Sequence, residues 1–261
     1  MPRNFSRFER RGHVAIITMD RPQVLNALHR DAHFEMRENW REFEADDDLW
    51  VAILTGEGGR AFSAGSDIKS IHDGVYATPP EGWSGLTRRP PTKPVIAAIN
   101  GYALGGGLEA VLACDLAIAA EHASFGLPEL KSTGDLPGDG GLLRIVRQLP
   151  PKVAFSMVLT GRFIAAPEAL RYGLVSEVVP AERLMERAVE LAEEVCGLPP
   201  IAVRVAKEFM LRAADLPASP DGAAWDLYDE LLPAIRASAD YRSGEGPKAF
   251  LEKRPPVWIG R

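Results

Sequence analysis

The chain has 261 residues, with 30 Lys and Arg against 36 Asp and Glu and a formal net charge of −6. That length admits one large domain, or a domain with a smaller appendage, and needs neither a metal nor a disulfide to hold a core. A hydrophobic share of 46% and a charged share of 25% exclude a disordered chain, collagen and a coiled coil, and the acidic balance argues against a nucleic-acid binder that works by broad electrostatic attraction.

In chain order, Arg3, Arg7, Arg10 and Arg11 come first, without the long apolar run of a targeting peptide. Residues 13–19 (HVAIITM) are β-branched and end at Asp20-Arg21-Pro22, which predicts a strand. Residues 31–45 set Phe34, Trp40 and Phe43 among charges at helical spacing, which predicts an amphipathic helix. His29 and His33 have metal-ligand spacing but no third ligand nearby, so they read as a surface helix face. Asp46-Asp47-Asp48 reads as a solvated turn, residues 50–55 as a second strand and the glycine-rich residues 56–65 as a loop. Prolines 79, 80, 90, 91 and 94 break the next stretch, so residues 72–92 are expected to be irregular and mobile.

Residues 93–101 (KPVIAAING) read as a buried strand, 105–113 as a helix entered through three glycines, and 115–120 as a strand. A helix is expected at 141–148 and a late strand at 176–179. Beyond about residue 181 the pattern is helical only, at 181–196, 199–214, 223–237 and 244–252. Alternating strands and helices imply an α/β class, and the shift of pattern divides the chain into 1–195 and 196–261. Two distant cysteines, Cys114 and Cys196, give no disulfide framework, and no apolar run is long enough to span a membrane. A soluble cytoplasmic protein is expected.

The sequence lacks GxxxxGK[ST], GxSxG and HExxH, and its glycines do not form a GxGxxG dinucleotide loop. No metal is expected, and Ser66 has no evident His partner. The informative segments are AFSAGSDIK (61–69) and NGYALGGGLEA (100–110). The first offers a free backbone N–H at Ser66. The second offers a helix N-terminus at Gly105-Gly106-Gly107, whose first N–H groups have no intrahelical acceptor. Two such donors aimed at one point form an oxyanion hole for a carbonyl that becomes an enolate. Glu109 shares a helix face with Gly106 and leans back toward the N-terminus. Its spacing fits either a carboxylate returned to the hole or a first-turn acid that complements the helix dipole.

AFSAGSDIK, KPVIAAINGYALGGGLEAVLACD, FGLPELK, PGDGG, LTGRFIAAPEALRYGLVSEVVP and FLEKR together resemble the enoyl-CoA hydratase/isomerase (crotonase) superfamily, from about residue 21 to the C-terminus. The resemblance implies a spiral of repeated ββα turns and a helical C-terminal region that builds homotrimers or homohexamers. It implies an acyl-CoA substrate, with CoA as part of the substrate and no further cofactor; the acidic charge and the lack of a long apolar run lead to the expectation of no nucleic-acid and no membrane partner. The thioester oxygen would be held at Ser66 and Gly106. Asp67, Ile68 and Lys69 would line the CoA site, and Lys253 would reach a neighbouring subunit's CoA.

Glu109 and Glu129 match the two hydratase glutamates. Having both implies a lyase that hydrates a 2-enoyl-CoA or runs the reverse dehydration, Glu109 activating water and Glu129 exchanging the α-proton. Residues 130–136 (LKSTGDL) depart from typical hydratases, bringing Asp135 and Asp139 toward the expected pocket. Asp139 is read either as a cap on helix 141–148 or as a contact to a polar acyl group. The ending EGPKAFLEKRPPVWIGR is more similar to the carnitinyl-CoA dehydratase branch. Alternatives are therefore a carnitinyl-CoA dehydratase-like enzyme, an isomerase or hydrolase that uses Asp139, and, last, a non-catalytic scaffold.

Overall fold

The computed structural model describes residues 3–216 and 222–261. The elements are β1 (Ser6–Arg11), β2 (Val14–Met19), α1 (Arg30–Ala45), β3 (Val51–Gly56), β4 (Ala61–Ser63), α2 (Ile68–His72), β5 (Val95–Ile99), β6 (Tyr102–Leu104), α3 (Gly106–Ala113), β7 (Leu116–Ala120), β8 (Ser124–Gly126), α4 (Glu129–Ser132), α5 (Gly141–Gln148), α6 (Pro151–Thr160), β9 (Ile164–Ala165), α7 (Ala166–Tyr172), β10 (Glu177–Val179), α8 (Leu184–Cys196), α9 (Pro200–Ala213), α10 (Ala223–Ala237), α11 (Ala239–Arg242) and α12 (Glu245–Glu252). The strands form one sheet in the order β1-β2-β3-β5-β7-β10 and a second in the order β4-β6-β8-β9. Successive strands alternate between the two: β3, β5 and β7 lie parallel in the first, and β4, β6 and β8 lie parallel in the second. A helix follows each pair, so the chain winds as a spiral of ββα turns. This is the α/β architecture expected.

Why these strands sit inside follows from their period of two. Ala52 and Leu54 of β3, and Ala97 and Ile99 of β5, face the main core with Met36, Phe43 and Leu108. Their neighbours Val51, Ile53, Ile96 and Ala98 face the other way, onto Leu184, Ala188 and Ala192 of α8. Strands covered on both faces read as unbroken apolar runs, as parallel strands must. Helix α8 is thus part of the sheet's packing.

Helix α9 is fastened to the core by the buried Lys207. Its ammonium donates to Lys93 O at 2.9 Å and pairs with Asp115 at 2.7 Å. Lys93, itself buried, donates to Phe43 O and Asp46 O. Each buried cation is satisfied by fixed oxygens, which burial without partners would make costly. Helix α10 packs on α9 with Leu227 inward, while Trp225 and Tyr228 stay exposed. Among the described residues, no helix is long and apolar enough to cross a membrane.

The structure corrects two expectations. Within residues 72–92, the stretch 82–87 is buried rather than a loose irregular span. His33 lies fully inside rather than on a surface helix face.

Candidate active site

Helix α3 begins at Gly106 beside the 63–67 loop: a Cβ placed on Gly65 would lie 3.1 Å from Gly106 N. Leu28 N donates to Gly65 O, and Asp67 N donates to Leu28 O, both at 2.9 Å. That parallel bridge turns the N–H of Ser66 away from Leu28. Among the described residues neither Ser66 N nor Gly106 N donates a hydrogen bond to the protein. The two expected oxyanion donors are therefore both unused, on backbone segments that touch.

All eight residues of α3 are buried, Glu109 included. Its Oε1 accepts from Asp139 N and Gly141 N, each at 2.8 Å. The carboxylate thus complements the N-terminus of α5, a helix more than 30 residues downstream. Burial pushes its carboxyl up to about 7, with the nearby charges of Asp139 and Glu129 adding to the rise and the two amides opposing it.

Glu129 opens α4. Its Oε1 sits over Gly105, 3.0 Å from where a Cβ would stand. Its Oε2 is buried without a hydrogen-bond partner. Burial raises this carboxyl as well, and Asp135 adds to the rise. Asp135 itself is exposed.

The capping reading of Asp139 does not hold. The residue before α5 is Gly140, no side chain caps that helix, and the Asp139 carboxylate pairs with Arg88 Nε at 3.0 Å. What Asp139 gives to the helix start is its own N–H, donated to Glu109. Asp67 also has structural duties. It pairs with Arg21 at 2.9 Å and caps α2 through the N–H groups of Lys69 and Ser70. Ile68, Lys69 and Lys253 are exposed.

Sequence reasoning missed the wall of the site. Tyr76 hydrogen-bonds Ser66 Oγ at 2.7 Å. Burial pushes its phenol up to about 12, despite that bond and aided by the charges of Asp139 and Glu109, so it stays protonated. Next comes a turn with three positive φ angles, at Gly82 (89°), Ser84 (50°) and Gly85 (69°). Gly85 is required there, because a Cβ would run into the backbone of Arg37 on α1. Two buried side chains of α1 hold the turn: Ser84 N donates to His33 Nδ1, and Trp40 Nε1 donates to Ser84 O, both at 3.0 Å. Burial pushes His33 down to about 3, so it is neutral at working pH. The turn drives Trp83 against Gly106, where any Cβ would overlap the indole. The isolated Gly82-Trp83-Ser84-Gly85 in a proline-rich stretch was the available signal.

This geometry can hold a carbonyl oxygen on two N–H groups beside two carboxyls whose pKa values are raised toward neutrality, which is the equipment for proton transfer next to an enolate. A family model described as enoyl-CoA hydratase/isomerase matches residues 9–261. The chain is 43% identical over 260 residues to a carnitinyl-CoA dehydratase of Citrobacter koseri, covering 97% of this chain and 98% of that one. Among solved structures it is similar to an enoyl-CoA hydratase from Mycobacterium marinum (TM-score 0.91, 36% identity, 98% and 99% of the two chains). It is also similar to a carnitinyl-CoA hydratase from Mycobacterium avium (TM-score 0.76, 41% identity, 100% of both chains).

Proposed function

The chain belongs to the enoyl-CoA hydratase/isomerase family, and from that premise we propose that it is a hydro-lyase which adds water across C2–C3 of a 2-enoyl-CoA or removes it from a 3-hydroxyacyl-CoA. The observation that carries this reading is the pair of carboxyls, buried Glu109 and half-buried Glu129 with its unpartnered Oε2, beside two unused backbone donors. The N–H groups of Ser66 and Gly106 hold the thioester oxygen as it gains enolate charge. Glu109, its oxygen fixed by two amides, takes a proton from the attacking water. Glu129 delivers a proton to the α-carbon, and in dehydration each transfer reverses. A group near pKa 7 serves both directions at neutral pH.

Lys69 and Lys253 supply cations for CoA phosphates, Lys253 toward a neighbouring subunit. Ile68 lines the same site, and Asp67 contributes through its backbone because Arg21 holds its carboxylate. Residues 196–261 serve as the oligomerisation region, the exposed Trp225 and Tyr228 providing contact surface. A trimer or hexamer is expected by light scattering at micromolar concentration, and a monomer would overturn this.

A carnitinyl thioester is the second reading of the substrate, favoured by the near-full-length identity to a protein of that name. An isomerase or hydrolase working through Asp139 has less support, since that carboxylate is already paired with Arg88. Loss of enoyl-thioester absorbance on crotonyl-CoA tests the main reading. Activity on the carnitinyl thioester without activity on crotonyl-CoA selects the second. Inertness toward both sinks the hydro-lyase.

A further inference from the structure

Five tryptophans are present, and four of their indole N–H groups are accounted for. Trp40 donates to Ser84 O, Trp50 to Asp47 O and Trp258 to Gly197 O, and Trp225 is 54% exposed. Trp83 is fully buried, and its Nε1 has no acceptor. A buried Trp N–H ordinarily finds a partner, and leaving one unpaired carries the full desolvation penalty. Half of the buried unpartnered side-chain atoms among the described residues belong to residues 81–87: Glu81 Oε2, Trp83 Nε1, Ser84 Oγ and Thr87 Oγ1.

The position of this orphan donor is built. Ser84, a non-glycine residue at positive φ between two glycines, is held by hydrogen bonds with two α1 side chains, and strain of this kind persists where the surroundings over-determine it. The result is an indole nitrogen pressed on Gly106, on the helix face that Gly106 shares with Glu109. On the hydro-lyase reading, that face looks onto the reacting end of the acyl group. Glu129 Oε2, an orphan acceptor, belongs to the same site.

We propose that Trp83 is a substrate-binding residue: its indole N–H donates to the oxygen on C3 of the acyl group, the oxygen that joins or leaves in the reaction. This rests on the hydro-lyase reading. Glu109 and Glu129, when ionised, can only accept, and the Trp83 indole can only donate. The C3 oxygen therefore gives its proton toward a glutamate and takes one hydrogen bond from Trp83. Trp83 then selects acyl groups that carry an oxygen at C3, because a saturated acyl group leaves the buried N–H unpaired.

Two measurements test this on the full-length protein. In wild type, the buried indole N–H resonance is followed by nuclear magnetic resonance during addition of 3-hydroxybutyryl-CoA or butyryl-CoA. A downfield shift with the hydroxylated ligand and none with the saturated one is expected. Equal responses to both ligands would overturn the assignment. Second, Trp83→Phe keeps the bulk and removes the donor. The preference of the protein for 3-hydroxybutyryl-CoA over butyryl-CoA, read as a ratio of dissociation constants, should fall by about tenfold. A structural role alone would weaken both ligands equally and leave the ratio unchanged, which also refutes the proposal. Should Trp83→Phe fail to fold, the resonance measurement decides by itself. Turnover of crotonyl-CoA and of the carnitinyl thioester by wild type is assayed in parallel: if either is present and the ratio is unchanged, Trp83 is wrong and the hydro-lyase stands; if both are absent, the hydro-lyase reading itself has failed.

Discussion

Glu109 stands on a helix whose eight residues are all buried and gives one oxygen to two amides at the start of α5, whereas Glu129 opens a four-residue helix whose next residues face solvent and keeps one oxygen without a partner. Both carboxyls are raised by burial, so desolvation does not distinguish them. Orientation does. The fold fixes one oxygen of Glu109 with two amides and leaves one oxygen of Glu129 unpaired, and the proposed reaction gives that difference a meaning. A base that must aim at a small, mobile water gains most from being held beforehand. A group that meets an α-carbon already pinned through its thioester needs less.

The largest expected effect comes from removing either of the two proposed proton carriers. Glu109→Gln and Glu129→Gln should each lower turnover on crotonyl-CoA by roughly 10²–10⁴. The double variant should fall far short of the product of the two losses, because the pair acts as a unit. Wild-type hydration should rise with pH through about 7 as Glu109 loses its proton. Glu129→Gln keeps that limb in its residual rate and Glu109→Gln loses it; the reverse pattern would exchange the two roles.

Next in size is the proposed oxyanion donor at Gly106. Gly106→Val should cost of order 10²–10³ in turnover, the usual loss for an oxyanion donor. The new side chain also meets the Trp83 indole, so part of the loss is displacement of that wall. Near-normal turnover in a protein with native circular dichroism would remove Gly106 from the site.

A third measurement sharpens the comparison through stability. The Glu109 carboxyl is raised from 4.5 to about 7. The folded state therefore holds its proton more tightly than the unfolded chain does. The resulting stabilisation is complete below about 4.5 and is lost as pH rises through about 7. Glu109→Gln, always neutral and still able to accept from both amides, should melt higher than wild type at pH 8, by up to ~3 kcal/mol. A variant that is inactive yet more stable is the expected signature; equal stability at pH 5 and pH 8 relative to wild type would deny the burial cost.

The smallest effect belongs to Asp139. Its charge helps to raise Glu109, so Asp139→Asn should move the acidic limb of the rate profile to lower pH, with turnover changed only a few-fold. The Arg88–Asp139 pair, whose arginine lies in solvent, should contribute less than about 1 kcal/mol to stability. Equal effects on crotonyl-CoA and the carnitinyl thioester fit an electrostatic role, and a selective loss on the carnitinyl thioester would make Asp139 a substrate contact.

Long elements with strong patterns were determined by the sequence itself. The strand at 14–19, the helix at 30–45, the buried strands at 51–56 and 95–99, the glycine-entered helix at 106–113 and the helical C-terminal run lie within a few residues of where their periodicity puts them. Spacing placed Gly106 and Glu109 on one helix face, and motif resemblance singled out Glu129. Tertiary structure alone decided the rest. Strands of two or three residues, β4, β6, β8 and β9, have no periodicity to read and exist because a neighbouring spiral turn pairs with them. The partners of Glu109 are 30 and 32 residues away, and those of Ser84 are 51 and 44 residues away. No local pattern encodes such contacts. Packing brings them together, and it turned His33 from an apparent surface histidine into a buried acceptor and made Trp83 a wall of the site.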